Sequence, residues 1–497
     1  MQNVGLRQME FVFADNTGRP VRERVKASGK PEAMVWLRRI ADSKETKHPT
    51  AGAVSERGLL ERVASWPVLA GALLKVAANK GAAGVDGKSV QEVVKSARQL
   101  LGKLSRELLR GEYRPGEIRR VWIPKPDGGQ RGLGIPNVID RWVQEAVRQV
   151  LEPIFEPLFH DSSHGFRPKR GAPTAIAEAK RHIEAGYNMA VDIDISKFFD
   201  HVNHQRLLSR MSGQVKDSRI LKLTSRMLKA KVVMPDGTKV GVEEGTPQGG
   251  PLSPLLSNIV LDELDKELAR RGLRFVRYAD DCNIFVRSRR AGERVMESVR
   301  RFIERRLRLR INEKKSSVDH PGRIHFLGFS LRKMGDGTVQ TFLSVRSHER
   351  MMERIRGLTP RTLGTSLEDC IKEANQYLTG WEGYFDQCSQ LAASRWQKYD
   401  AHVRRRLRTI IVRQRKRSRF LFRHLKTRGV SMRTASMTAF SRKGIWAKGN
   451  MRGMHQAYPN AWFAERLVSI WEMWKDRNLG PPVSTEPTGQ LLLSFMG

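Results

Sequence analysis

The stretch Phe275-Val276-Arg277-Tyr278-Ala279-Asp280-Asp281-Cys282-Asn283-Ile284-Phe285-Val286 constrains the fold more than any other part of the chain. Apolar, β-branched and aromatic residues flank a Tyr-Ala-Asp-Asp core, which predicts two short strands joined by a tight turn carrying two carboxylates. Successive strand residues point to opposite faces, so neighbouring acids serve one site only where a turn redirects one of them. Paired carboxylates on a buried hairpin suit Mg2+, which takes hard oxygen ligands, usually one or two carboxylates plus substrate phosphates. A phosphate-handling site is the first reading. A plain acidic turn competes with it, because Asp is a common turn former.

A second acidic strand precedes the hairpin. In Met189-Ala190-Val191-Asp192-Ile193-Asp194-Ile195, period-2 alternation puts Asp192 and Asp194 on one face and Val191, Ile193 and Ile195 on the other. Carboxylates are depleted in strands and costly when buried unpaired, so two on one face argue for a nearby cation. The solvent side of a half-exposed sheet is the alternative. Adjacent strands of one sheet would gather Asp194, Asp280 and Asp281 around two metals roughly 4 Å apart, the arrangement used for in-line nucleotidyl transfer.

The other segments fit a polyanionic substrate. Arg119 to Pro136 reads as a hairpin around Asp127-Gly128-Gly129, with Lys125 and Arg131 on its two arms near the tip. His164-Gly165-Phe166-Arg167-Pro168 is a loop whose Arg and aromatic suit a template strand, with Phe166 as plain core the equal alternative. In Gly245-Thr246-Pro247-Gln248-Gly249-Gly250-Pro251-Leu252-Ser253-Pro254, Ser253 is expected to cap a helix running to about Arg271 and stopped by Gly272. Gln248 could hydrogen-bond a substrate that approaches the loop, with a plain turn as the alternative. Phe326-Leu327-Gly328-Phe329 reads as a short apolar strand whose glycine permits close backbone approach. The 90 Lys and Arg against 52 Asp and Glu, a net charge of +38, point to nucleic acid. No run of eighteen apolar residues occurs, so a membrane partner is not expected. The three cysteines are odd in number and form no C-x-x-C pair, so neither a disulfide framework nor a zinc site is indicated, and reduced thiols in the cytosol are expected. From about Ser347 the pattern is helical, and between Asp400 and Glu465 there are 17 Lys and Arg and no acid. Interleaved Leu407, Ile410, Phe420, Trp446 and Trp462 mark this as a folded basic surface, with Arg404 and Arg405 among its candidate nucleic-acid contacts.

Tyr278-Ala279-Asp280-Asp281, Thr246-Pro247-Gln248-Gly249-Gly250, Ile123-Pro124-Lys125-Pro126, Gly165-Phe166-Arg167-Pro168 and Phe326-Leu327-Gly328-Phe329 occur in an order that resembles the group II intron-encoded reverse transcriptases, or maturases. Asn375 to Trp381 and Arg442-Lys443-Gly444-Ile445-Trp446 are most similar to the group IIC type. The resemblance implies an α+β right-hand polymerase of fingers and palm with an N-terminal helical extension, a helical thumb and a basic helical C-terminal domain. It implies Asp194, Asp280 and Asp281 as catalytic ligands of two Mg2+ ions, with Mn2+ as an alternative. It further implies Lys125 and Arg131 on the triphosphate, Phe199 barring a ribose 2′-hydroxyl, and Gln248 on the incoming nucleotide and template. Asp192 shares the face of Asp194, but the spacing to Phe199 favours Asp194 as the ligand. Arg167, Gly328, Arg404, Arg405, Arg442 and Lys443 are the expected nucleic-acid contacts.

The implied organisation is 1-54 as an extension of unknown role, 55-112 as an N-terminal helical region, 113-345 as fingers and palm, 346-412 as thumb and 413-497 as a basic DNA-binding region. Implied partners are group II intron RNA, an RNA template with a DNA primer, target DNA and dNTPs, in a cytoplasmic ribonucleoprotein. Many members of the family carry an HNH endonuclease with cysteine pairs; those pairs are missing here, so second-strand cleavage is not expected. A splicing-only maturase and a retron- or defence-type reverse transcriptase are the competing readings.

Overall fold

The computed structural model describes residues 32–43, 58–124, 129–360, 364 and 366–479. It divides into two compact units between Asp319 and His320. In chain order the strands of the first unit are β1 (Ile118–Pro124), β2 (Gln130–Ile135), β3 (Met189–Asp194), β4 (Val232–Val233), β5 (Lys239–Val240), β6 (Arg274–Tyr278), β7 (Asp281–Val286) and β8 (Ser317–Asp319). They form two sheets of order β2-β1-β4-β5 and β6-β7-β3-β8, the second antiparallel throughout. Helices pack against one face of that second sheet, where Val191, Ile193, Cys282 and Ile284 are buried. The alternation along β3 and β7 leaves the acids on the opposite face.

The helical part of the same unit is stapled by buried aromatics. The 138–155 helix sinks Trp142, whose indole N–H donates to the Leu69 carbonyl at 2.6 Å, so its one polar atom is satisfied in the core. Leu59–Ala64 and Trp66–Ala78 are separate helices, as the Trp66-Pro67 break predicts, with Pro67 in the first turn where its missing N–H costs nothing. Ahead of them, Glu32–Ala41 forms a helix that packs on Trp66–Ala78 through a fully buried Leu37. This part of the expected extension is therefore integral to the first unit; the rest of 1-54 lies outside the described residues.

Two local expectations need correction. Ser253 does not cap the helix it opens: it is the first helical residue, and its hydroxyl donates instead to the Pro247 carbonyl at 2.8 Å. The helix ends at Arg270, and Gly272, at φ +68°, stops it as expected. Phe326 to Phe329 is a tight turn rather than a strand, closed by reciprocal backbone bonds of 3.0 and 2.8 Å, with Leu327 and Gly328 both at positive φ. Its product is the start of β9 (Phe329–Lys333), which pairs with β10 (Val339–Leu343) in the second unit. These two strands fall in the second compact unit.

That unit continues through Val345–Leu358, Leu367–Phe385 and Trp396–Gln414 into a series of shorter helices. Asp400 accepts from Ser469 Oγ (2.6 Å), Ile470 N (3.1 Å) and Trp471 N (3.3 Å), so a carboxylate of the long helix caps the last one, Ile470–Asn478. Arg406 and Arg408 are buried in this unit and donate to carbonyls of Thr359 and Tyr458. Part of the basic run thus holds the fold together.

Candidate active site

Register places the acids. In the β3–β7 ladder Asp194 stands directly opposite Asp281, and Asp192 opposite Asn283, so all four side chains leave the same face of the sheet. In the β6–β7 hairpin Tyr278 pairs with Asp281, leaving Ala279 and Asp280 as the two-residue loop. Ala279 takes a left-handed backbone, φ +57°, which lets the chain reverse so quickly that Asp280 and Asp281 both serve the side of Asp194. Asp194 is fixed by its backbone: its N–H donates to Ser316 Oγ at 3.0 Å and its carbonyl accepts from Asn312 N at 2.8 Å.

Burial pushes the Asp281 carboxyl well above the usual range, and the charges of Asp192, Asp280 and Asp194 add to the rise. Asp280 is raised mainly by burial and by Asp194, with Arg131 pulling the other way. Acids that repel one another on a half-dry surface form a strong sink for positive charge. Asn283 Nδ2 donates to Asp281 Oδ1 at 3.2 Å and fixes the rotamer of that carboxylate. The all-oxygen donor set suits a hard divalent ion. Among the described residues no group of three or more His, Cys, Asp or Glu forms a ready-made metal cage.

The glycine-rich loop is stitched into this site at both ends. Thr246 N donates to the Phe199 carbonyl (2.7 Å), Gly245 N to Val202 O (2.7 Å), and Gly134 N on β2 to the Gln248 carbonyl (2.8 Å). Gln248 therefore lies along the strand that carries Arg131, while Phe199 is held at the loop's other end, five residues after Asp194. Phe199 is half-buried and packs edge-on against the buried Phe198, ring centroids 5.3 Å apart.

Residues 123–331 match the family described as reverse transcriptase (RNA-dependent DNA polymerase), and residues 348–429 match the group II intron maturase-specific domain. The chain is 35% identical over 277 residues to protein YkfC of Escherichia coli (strain K12), an alignment covering 48% of this chain and 72% of YkfC. It is 31% identical over 310 residues to the group II intron-encoded protein LtrA of Lactococcus lactis subsp. cremoris, covering 49% of this chain and 51% of LtrA. A putative COX1/OXI3 intron 2 protein of Saccharomyces cerevisiae is 29% identical over 322 residues, with 51% and 37% covered. The chain belongs to the group II intron-encoded reverse transcriptases.

In this reverse transcriptase the remaining expected contacts divide. Lys125 lies outside the described residues. Arg131 is exposed on β2, opposite Ile123, and its charge is felt by Asp280. Arg167, expected at a template, is buried: Nε donates to Glu156 Oε1 (3.0 Å), and Nη1 to the carbonyls of His160 (2.6 Å) and Ser163 (2.9 Å). With its fork tied up in this way, Arg167 shapes the loop from inside and is corrected to a structural residue. Gly328 is likewise a packing position. A Cβ there would sit 3.0 Å from Phe385 Cε1 and 3.1 Å from Ser347 Oγ, and its φ of +89° disfavours any side chain.

Arg404, Arg405, Arg442 and Lys443 all lie in the second unit. Arg404 and Arg405 are half-buried, with the Arg405 guanidinium stacked 4.1 Å from the Trp446 ring centroid, whereas Arg442 and Lys443 are exposed. Sequence reasoning passed over Gly165, Asn258, Asp265 and Arg277, which pack around the acidic turn. A signal was there: an Arg inside an apolar strand, and an Asn and Asp two helical turns apart among leucines.

Proposed function

We propose that this chain is an RNA-directed DNA polymerase that copies group II intron RNA and, as a maturase of the group IIC type, binds that RNA for splicing and mobility. The observation that carries it is the Asp194–Asp281 cross-strand pair with Asp280 in the adjoining loop, one carboxylate face beside the Phe199–Gln248–Arg131 rim. Asp194, Asp280 and Asp281 would hold two divalent ions, Mg2+ or Mn2+, which supply activation of the primer hydroxyl and neutralisation of the leaving pyrophosphate.

The protein's own groups do the rest. Arg131, with Lys125, takes the triphosphate charge. Phe199 fills the space that a ribose 2′-hydroxyl needs, and Gln248 reads the incoming nucleotide against the template. Arg404, Arg405, Arg442 and Lys443 bind phosphates of intron RNA or target DNA. No helix among the described residues is long and apolar enough to cross a membrane, in keeping with a ribonucleoprotein partner. The test is primer extension on an RNA template with dNTPs and Mg2+, beside Asp280→Ala and Asp281→Ala. Extension by the native chain and its loss in both variants is expected; a native chain that binds RNA tightly but extends nothing refutes the polymerase in favour of a splicing-only maturase.

A further inference from the structure

We propose that Arg277 is the positioning residue of the metal-binding turn: from beneath the sheet, its guanidinium holds the Ala279–Asp280 loop so that Asp280 and Asp281 face Asp194. The proposal rests on the polymerase reading above and adds a residue to its machinery. Arg277 pairs with Cys282 across the hairpin, so its side chain leaves the face opposite to Asp281. Both Arg277 and its partner Asp265 are 0% exposed, so this cation never meets substrate.

Every guanidinium N–H has an acceptor. Nε and Nη2 donate to the two oxygens of Asp265 at 2.7 and 2.5 Å, a bidentate fork. Nη2 also donates to Ser163 Oγ at 2.7 Å, and Nη1 to Asn258 Oδ1 at 3.0 Å. The fifth donor goes from Nη1 to the carbonyl of Ala279 at 2.8 Å, the peptide that leads into Asp280. A buried ion pair is weak evidence for stability, because an apolar residue of similar volume usually serves a core as well. What an apolar residue cannot do is aim an N–H at that carbonyl.

The carbonyl needs holding because Ala279 sits at φ +57°, a region L-residues avoid and keep only when their surroundings over-determine it. The other side of the residue is gripped as well. A Cβ built on Gly165 would lie 2.2 Å from Ala279 N, so the loop backbone runs against the turn with no space between. Asn258 ties the two grips together, accepting from Arg277 and donating Nδ2 to the Gly165 carbonyl at 2.9 Å. Asn258 and Asp265 stand on the 253–270 helix, whose first residue is bonded to Pro247 in the loop of Gln248. One rigid helix thereby sets the metal turn and the nucleotide loop in common register.

The experiment uses the full chain as native protein, Arg277→Lys, Ala279→Gly and the double variant. Two readouts are taken: the melting temperature against Mg2+ concentration without substrate, and the Mg2+ concentration for half-maximal single-nucleotide addition alongside KM for dNTP. Lysine keeps the charge but not the fork, so Arg277→Lys should need about tenfold more Mg2+ in both readouts, as for the loss of other groups that orient metal ligands. Its KM for dNTP at saturating Mg2+ should stay within about twofold, because Arg277 does not touch the nucleotide. Glycine takes a positive φ without penalty, so the double variant should recover about threefold over Arg277→Lys, with Ala279→Gly alone as its matched reference.

An unchanged Mg2+ requirement in Arg277→Lys, or a double variant no better than it, overturns the proposal. Should Arg277→Lys fail to fold, Asn258→Ser, which keeps the Arg277–Asp265 pair, is expected to show the raised Mg2+ requirement, and its absence overturns the proposal equally. A native chain that extends no primer counts against the polymerase reading alone, while Mg2+-dependent melting still decides the role of Arg277.

Discussion

Gly165→Ala should cripple catalysis without removing any catalytic side chain. The added Cβ would fall 2.2 Å from Ala279 N, 2.9 Å from Tyr278 C and 3.1 Å from Ala279 Cα, where ordinary contact begins at 3.4 Å. All three are backbone atoms, so no rotamer change relieves the overlap, and something must move by about 1.2 Å. Neither side retreats freely. His164 N donates to Arg277 O and Arg277 N to Ser162 O, both at 2.8 Å, locking the loop to β6. The displacement therefore falls on the Ala279–Asp280 turn. A misplacement of about 1 Å at a reacting centre costs about 100-fold in rate, or about 2.7 kcal/mol of barrier. Overpacking should lower stability by a further 1–3 kcal/mol or so. Single-turnover addition of one dNTP at saturating Mg2+, measured below the melting transition, is the assay. A Gly165→Ala chain that adds the nucleotide within about threefold of native would refute the claim that this contact sets the turn.

Other perturbations separate roles that look alike in the sequence. Phe199→Ala should raise incorporation of ribonucleotides relative to deoxynucleotides; an unchanged ratio in competitive primer extension sinks its role as the barrier to the 2′-hydroxyl. Arg167→Ala should destabilise the first unit by about 2–3 kcal/mol, since buried partners lose charged hydrogen bonds, and leave template affinity of the folded protein unaltered in anisotropy titrations; weakened template binding at full foldedness would restore Arg167 to the interface. In the second unit, burial together with Arg346 and Arg350 pushes the His325 imidazole down to about 4. A depressed folded pKa means that the unfolded chain binds more protons between about 6.5 and 4, so this contribution is whole above pH 6.5 and is lost as pH falls through that window. His325→Gln should flatten the fall of that unit's melting temperature between pH 6.5 and 4, and an equally steep fall would show that other groups govern it.

What the sequence determined by itself was whatever is written in local pattern. Period-2 alternation put Asp192 and Asp194 on one face, the Tyr-Ala-Asp-Asp core declared a hairpin, and the spacing to Phe199 and the order of the motifs carried the family, because each depends on residues close together in the chain. The Phe326–Phe329 segment misled for a related reason: four mostly apolar residues read as a strand, while two consecutive left-handed residues made them a turn, and Leu327 gave no sign of that. Only the tertiary structure decided which cations stay exposed and which hold the fold. Arg167 and Arg277 look as available as Arg131 in a chain of net charge +38, yet both are buried, Arg167 on Glu156 and on carbonyls of its own loop, Arg277 on Asp265 and on a serine from a distant segment. The partners of a guanidinium are set by which elements pack around it, and Asp265, Asn258 and Ser163 meet Arg277 only once helix, loop and sheet have closed on one another.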